Sequence, residues 1–120
     1  MGKVLIVDDA AFMRLRVANL LKGKDYTVIE ASNGQEAIQK YLEEKPDVVL
    51  LDITMPVMDG LTALKEIISL DPKAKIVMCS ALGQESIVIE AIKNGARDFV
   101  VKPFQPDKIL AAVGRFALQG

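Results

Sequence analysis

Residues 3–14 read KVLIVDDAAFMR and join an apolar run of strand length to two adjacent aspartates. The run at 4–7 is continuous and mostly β-branched, which is typical of a strand covered on both faces of a parallel sheet. Asp8 and Asp9 follow it directly. Neighbouring carboxylates repel each other and disfavour joint ionisation. The pair at the end of this strand is therefore expected to serve a purpose other than stability.

Four further apolar runs of strand length follow along the chain. They are YTVIEA at 26–31, DVVLL at 47–51, KIVMC at 75–79 and DFVVK at 98–102. Segments with helical periodicity separate the runs, and a fifth such segment follows the last run. The alternation predicts a single (βα)₅ domain over residues 1–120, an α/β fold with a parallel sheet and right-handed crossovers.

Apolar residues at helical spacing predict which residues of each helix face the core. In chain order they are Leu15, Val17, Ala18 and Leu21; Ala37, Ile38, Tyr41 and Leu42; Leu61, Leu64, Ile67 and Ile68; Ile87, Val88, Ala91 and Ile92; Ile109, Leu110, Val113, Phe116 and Ala117. With Ile89 included, the fourth helix has an unusually wide apolar arc. One edge of it is either exposed or covered by a partner, or the extra residues pack against the fifth helix.

Turn-forming residues predict where several of these helices begin and end. Pro46 ends the second helix and drives Lys45 out of the right-handed helical region. Gly95 is expected to cap the carboxyl end of the fourth helix in a left-handed conformation. Asn33 and Gly34 predict a turn ahead of the second helix.

Composition excludes several classes of protein. The chain has 120 residues, 51% of them hydrophobic, and a net charge of −1, so it can bury a core without disulfides. The balanced charge argues against nucleic acid as a partner, and no cationic helix indicates a membrane surface. The absence of a signal peptide or a spanning apolar stretch predicts a cytoplasmic protein. The single cysteine, Cys79, fits that compartment and is expected to be a small buried hydrophobe.

The chain contains no histidine. This excludes nucleophilic sites of the Ser-His and Cys-His types as well as the usual zinc sites. A metal bound here is expected to be a hard cation with oxygen ligands.

Polar side chains follow four of the five predicted strands. In an open parallel sheet the ligand site lies beyond the carboxyl ends of the strands. If the first and third strands are neighbours, Asp8, Asp9 and Asp52 converge, and Mg²⁺ with oxygen ligands compensates their charge. Simpler interpretations remain open at this point: an aspartate that only caps the first helix, Ser80 as an exposed hydroxyl, and Lys102 as a solvated charge.

The motifs VDD, LDITMP, MDG, SA after the fourth strand and KPF after the fifth occur in an order and spacing that resemble the receiver domain of two-component response regulators. The resemblance covers the whole chain. VDDAAFMR, DITMPVMDG and DFVVKPFQP are more narrowly similar to the stand-alone regulators of chemotaxis. The resemblance implies a flavodoxin-like, doubly wound sheet of five strands in the order 2-1-3-4-5.

The resemblance also implies a role for each site residue. Asp52 accepts the phosphoryl group, and one Mg²⁺ per chain is held by Asp9, by Asp8 directly or through water, by Asp52 and by the backbone carbonyl of Thr54. The residues expected to bind the phosphoryl group or assist its transfer are Lys102, Ser80, Thr54 and Ala81. The Lys102–Pro103 peptide bond is expected to be cis.

A switch and a docking face are implied in the same way. Ser80 moves toward the phosphoryl group and Phe99 turns inward behind it; the alternative is that Phe99 is permanently buried. The docking face consists of the fourth helix, the fifth strand and the fifth helix. The expected partners are a histidine kinase of the CheA type and a flagellar switch protein of the FliM type. A phosphatase is a further candidate.

The protein is expected to be a monomer without an output domain, and a phosphoacceptor rather than a classical enzyme. The alternatives are a single-domain receiver in another phosphorelay and a partner-binding module that is not phosphorylated. A phosphatase of the haloacid-dehalogenase type is disfavoured, because Thr54 stands where that motif has its second aspartate.

Overall fold

A computed structural model, which describes residues 2–117, shows five parallel strands in one sheet with five helices. The strands are β1 (Lys3–Val7), β2 (Thr27–Ala31), β3 (Val48–Asp52), β4 (Ile76–Ser80) and β5 (Asp98–Val101). The helices are α1 (Ala11–Lys22), α2 (Gly34–Glu44), α3 (Gly60–Leu70), α4 (Glu85–Lys93) and α5 (Pro106–Ala117). The predicted domain 1–120 also includes Met1 and residues 118–120, which lie outside the described residues.

The strand order is β2-β1-β3-β4-β5, so the predicted 2-1-3-4-5 sheet is confirmed. Asp52 pairs in register with Cys79, and Ser80 pairs with Val101. Each of these two polar residues is the last residue of its strand, one position later than the apolar runs predicted. The ladder continues past the last apolar side chain, because backbone pairing does not depend on side-chain polarity.

Two apolar layers cover the two faces of the sheet. Leu5 and Val7 of β1 pack on one side with residues of α2, α3 and α4, whereas Val4 and Ile6 pack on the other side with residues of α1 and α5. Every residue of β3 and of β4 is buried. Burial on both faces explains why these strands read as continuous apolar runs.

Four residues predicted to face the core, or included in the apolar arc of α4, are exposed instead. Their exposed fractions are 55% for Leu15, 52% for Leu42, 57% for Ile89 and 43% for Ile92. Each helix packs against the sheet along one stripe only, and these residues lie outside that stripe. The wide apolar arc of α4 therefore has an exposed edge, formed by Ile89 and Ile92, and the interpretation that it packs against α5 is wrong.

The two predicted carboxyl-terminal helix ends are confirmed by the backbone, whereas Gly34, predicted to lie in a turn ahead of α2, is the first residue of that helix. Lys45 follows α2 in a left-handed conformation with φ 48°, and Gly95 follows α4 with φ 111°. Asn33 is the N-cap of α2, and its side chain accepts a hydrogen bond from the Glu36 amide at 2.9 Å. Among residues 2–117, no helix has the length and apolar character needed to cross a membrane.

Candidate functional site

Asp52 lies at the carboxyl end of β3, the central strand of the sheet. Its side chain is buried, and Oδ1 accepts a hydrogen bond from the Ile53 amide at 3.0 Å. The Nζ atom of Lys102 lies 3.0 Å from the same oxygen. Burial raises the pKa of the Asp52 carboxyl, and the nearby Asp8 charge adds to this, although Lys102 opposes it. The fold therefore holds a desolvated carboxylate at this position.

Three carboxylates converge at this edge of the sheet. One carboxylate oxygen each from Asp8, Asp9 and Asp52 lies within 4.8 Å of the others. Asp8 and Asp52 are buried, whereas Asp9 is exposed. Hard carboxylate oxygens at this spacing fit a divalent cation such as Mg²⁺, with room for water on the exposed side.

The first-turn geometry of α1 shows that neither aspartate is its N-cap. The N-cap is Ala10, which makes no side-chain capping bond. The Oδ1 atom of Asp8 accepts a hydrogen bond from the Ala10 amide at 2.9 Å, one residue before the helix begins. The interpretation that an aspartate here only caps α1 is therefore wrong. The Asp8 carboxylate is held by the turn and directed toward the other carboxylates.

Lys102 bridges two of these carboxylates. Its Nζ lies 3.1 Å from Oδ2 of Asp8 and 3.0 Å from Oδ1 of Asp52. Burial acts to lower the pKa of Lys102, but the hydrogen bonds and charges of the two aspartates outweigh it and raise the pKa. The lysine is thus part of the site, and the interpretation as a solvated charge is wrong. The Lys102–Pro103 peptide bond is cis.

Ser80 and Ala81 lie at the carboxyl end of β4, at the same edge of the sheet. The Ser80 side chain is buried, so it is not the exposed hydroxyl that was one alternative. The Ala81 amide donates a hydrogen bond to Oε1 of Gln84 at 2.7 Å. The Nε2 atom of Gln84 in turn donates to Oγ1 of Thr54 at 2.9 Å. Gln84 is not among the residues predicted from the sequence, because its position in a loop carries no periodic or motif signal.

Gly60 has a structural role that the MDG motif alone did not reveal. Its amide donates to the Ile53 carbonyl at 2.7 Å. A Cβ atom at this position would lie 2.0 Å from the carbonyl oxygen of Asp52. Only glycine allows the amino end of α3 to pack this closely against the backbone of the candidate phosphoacceptor.

Phe99 lies on β5 with 46% of its surface exposed, so the interpretation that it is permanently buried is wrong for this conformation. It pairs in register with Met78, two residues before Ser80 on β4. Because side chains alternate along a strand, Phe99 and Ser80 share one face of the sheet. Phe99 also lines an open groove of about 750 Å³ between β5 and α5.

Cys79, on the opposite face, is buried as predicted.

Comparison with known proteins identifies the family of this chain. The family model "Response regulator receiver domain" matches residues 4–114. The chain is 58% identical to the chemotaxis protein CheY of Listeria monocytogenes over 118 residues, which cover 98% of this chain and 99% of that protein. It is 57% identical to the chemotaxis protein CheY of Thermotoga maritima over 117 residues, covering 96% and 98% of the two chains.

A solved structure gives the same result for the fold. The receiver domain of NtrX from Brucella abortus superposes with a TM-score of 0.92 at 31% identity, covering 98% of this chain and 99% of that chain. The family match, the identities and the acidic site at the strand ends agree with one another. The chain belongs to the response regulator receiver family.

Proposed function

We propose that this protein is a stand-alone response regulator that accepts a phosphoryl group on Asp52 from a histidine kinase of the CheA type. The observation that carries the proposal is the position of the Asp52 carboxylate, which lies 3.0 Å from the Lys102 ammonium and clusters with the carboxylates of Asp8 and Asp9. Relatives named as chemotaxis proteins that match almost end to end support the stand-alone form.

Asp52 is the nucleophile in the proposed transfer. A carboxylate oxygen attacks the phosphorus of the phosphohistidine; the new P–O bond forms as the P–N bond breaks, and the product is an acyl phosphate. Lys102 is close enough to pair with a phosphoryl oxygen as negative charge develops there. The Ser80 hydroxyl and the Ala81 amide donate hydrogen bonds to the transferred group.

The acidic cluster is proposed to hold one Mg²⁺. Asp8, Asp9 and Asp52 supply carboxylate oxygens, and the Thr54 backbone carbonyl is the further protein ligand. When bound, the ion neutralises charge on the phosphoryl oxygens. The three hard oxygen donors and the absence of histidine from the sequence both favour this ion over zinc.

The signal is proposed to leave the site along β4 and β5. Ser80 moves toward the phosphoryl group, and Phe99, which shares its face of the sheet, turns inward behind it. The surface formed by α4, β5 and α5 then docks a flagellar switch protein of the FliM type, with a phosphatase as a further partner. The exposed Phe99, Ile89 and Ile92 make that surface apolar. The proposed molecule is a cytoplasmic monomer that assists its own phosphorylation.

Acetyl phosphate tests the acceptor chemistry without a kinase. The protein is incubated with Mg²⁺ and acetyl phosphate and its intact mass is measured in acid. We expect a gain of one phosphoryl group that requires Mg²⁺ and is absent from Asp52→Asn. Asp107→Asn, an exposed aspartate on α5, serves as the matched control and keeps the adduct.

Partner identity needs a separate experiment. Radiolabelled phosphate is expected to pass to Asp52 from a phosphorylated CheA-type kinase within seconds. Only the phosphorylated protein is then expected to bind a switch protein of the FliM type. Transfer without binding to that protein favours a receiver that serves another phosphorelay. Stable folding without any transfer favours a module that only binds partners.

A further inference from the structure

The Gln84 side chain joins the loop after β4 to the loop after β3. Its Oε1 accepts a hydrogen bond from the Ala81 amide at 2.7 Å, and its Nε2 donates to Oγ1 of Thr54 at 2.9 Å. Ala81 directly follows the last residue of β4, and Thr54 lies two residues beyond Asp52. Both ends of the Gln84 amide are therefore bound to residues that the proposed function places at the phosphoryl site.

We propose that Gln84 is a positioning residue whose Oε1 accepts the hydrogen bond of the Ala81 amide before phosphorylation. Gln84 and the phosphoryl oxygen then compete for that amide. The inference rests on the proposed function, in which this amide binds the phosphoryl group. An amide N–H makes one strong hydrogen bond at a time, so the two acceptors exclude each other. The anionic phosphoryl oxygen is the stronger acceptor and displaces Gln84 from the Ala81 amide. The loss of the hydrogen bond between Ala81 and Gln84 lowers the affinity of the site for the phosphoryl group.

The same displacement reaches α4, because Gln84 is the residue that directly precedes this helix. Its side chain makes no capping hydrogen bond to α4, while its backbone carbonyl accepts from the Val88 amide at 3.0 Å. The side chain thus ties the start of α4 to the site without stabilising the helix itself. When Gln84 is displaced, this link between the site and the start of α4 is lost. The exposed Ile89 and Ile92 lie on the same helix.

Beryllofluoride, a mimic of the phosphoryl group, tests this competition when it is titrated with Mg²⁺ and followed by fluorine NMR. We expect Gln84→Ala to bind beryllofluoride about three- to tenfold more tightly than the wild type, since one competing neutral hydrogen bond is removed. Gln39→Ala, an exposed glutamine on α2, is the matched control and leaves the affinity unchanged. A variant that only loosens the fold does not bind more tightly.

Gln84→Glu is expected to change the affinity in the opposite direction. Its carboxylate is a stronger acceptor for the Ala81 amide and repels the anion, so binding weakens by about tenfold or more. In the protein without beryllofluoride, the Ala81 amide is expected to exchange with solvent faster in Gln84→Ala than in the wild type.

Two results would overturn the inference while leaving the proposed function intact. One is a wild type that binds beryllofluoride and a Gln84→Ala variant that binds it no more tightly. The other is an Ala81 amide whose exchange is the same in both proteins. If the wild type itself binds no beryllofluoride, the proposed function fails and this inference fails with it.

Discussion

The ammonium nitrogen of Lys102 lies 3.0 Å from Oδ1 of Asp52 and 3.1 Å from Oδ2 of Asp8, so one cation compensates two buried carboxylates. Lys102 follows the last residue of β5, Asp52 ends β3 and Asp8 follows β1. Three separate strands thus deliver one charge cluster to one edge of the sheet. The energetic cost of bringing these charges together is measurable as a change in the free energy of unfolding.

Replacing Lys102 by methionine is expected to lower the free energy of unfolding by about 2 to 4 kcal/mol in the absence of divalent cations. Removal of one partner leaves the buried Asp8 and Asp52 carboxylates without compensation. Urea denaturation measures the effect. Lys108→Met, at an exposed position of α5, changes stability by less than about 0.5 kcal/mol. Equal stability of the two variants would show that the Lys102 pairs contribute nothing.

Replacing Asp52 by asparagine is expected to stabilise the protein at neutral pH by about 1 kcal/mol, a common gain when a functional site is relieved of strain. Burial raises the folded-state pKa of Asp52 above its unfolded value, so the folded state holds this proton more tightly. The contribution of Asp52 to stability is therefore lost as pH rises through that raised pKa.

The pH dependence separates this effect from a simple packing change. The advantage of Asp52→Asn over the wild type is expected to grow between the unfolded pKa of an aspartate and the raised folded pKa, and then to level off. Thermal melts without divalent cations, run across the acidic range, measure it. A stability difference between Asp52→Asn and the wild type that does not change with pH would contradict a raised folded-state pKa of Asp52.

Magnesium is expected to stabilise the wild type, since a ligand that binds only the folded state shifts unfolding by mass action. At a concentration one hundred times the dissociation constant, the gain is about 2.7 kcal/mol. Asp9→Asn loses most of this gain because a carboxylate of the cluster is removed. Glu43→Gln, an exposed residue near the end of α2, keeps it. Equal gains in both variants would place the ion elsewhere.

Replacing Gly60 by alanine is expected to destabilise the protein by about 2 to 3 kcal/mol and to slow phosphorylation. The added Cβ would meet the Asp52 carbonyl oxygen at 2.0 Å, so the backbone that carries the acceptor must shift. Gly114→Ala, within α5, is the opposite control, because a Cβ at that position would lie 3.8 Å from the Tyr26 hydroxyl, an ordinary contact distance. That change is expected to stabilise the helix by about 0.5 to 1 kcal/mol. Circular dichroism melts compare the two.

Val57 is strained, because it has φ 68° in the loop between β3 and α3. A β-branched residue is disfavoured in this left-handed region. Its side chain is 78% exposed, so little packing is lost on its removal. Val57→Gly is expected to raise the free energy of unfolding by about 1 kcal/mol in urea titrations. A loss of stability would mean that the valine side chain makes a needed contact.

The positions of the strands and most of the site were predictable from sequence for one physical reason. β3 and β4 are buried on both faces, so they read as unbroken apolar runs, and the polar residues that end them mark the functional edge. The order of the strands was not predictable from these runs and came from the resemblance of motifs. Periodicity also could not show which apolar helix residues, such as Leu15 and Ile89, fall outside the buried stripe.

Gln84 and Gly60 show what sequence patterns leave out. The Gln84 bridge depends on the conformation of one loop side chain, and the role of Gly60 depends on how closely α3 approaches the backbone of Asp52. Neither residue belongs to a periodic pattern of apolar residues or to a cluster of charged residues. Both become visible only when the distances between loops are known.

Locating the phosphoryl group shows directly whether Asp52 is the acceptor. The protein is phosphorylated with acetyl phosphate and Mg²⁺, reduced with borohydride, digested and sequenced by mass spectrometry. Reduction converts a phosphorylated aspartate to homoserine and so marks the acceptor. We predict homoserine at position 52 and unmodified aspartates at positions 8 and 9. Homoserine at either of those positions, or at none, would contradict the account.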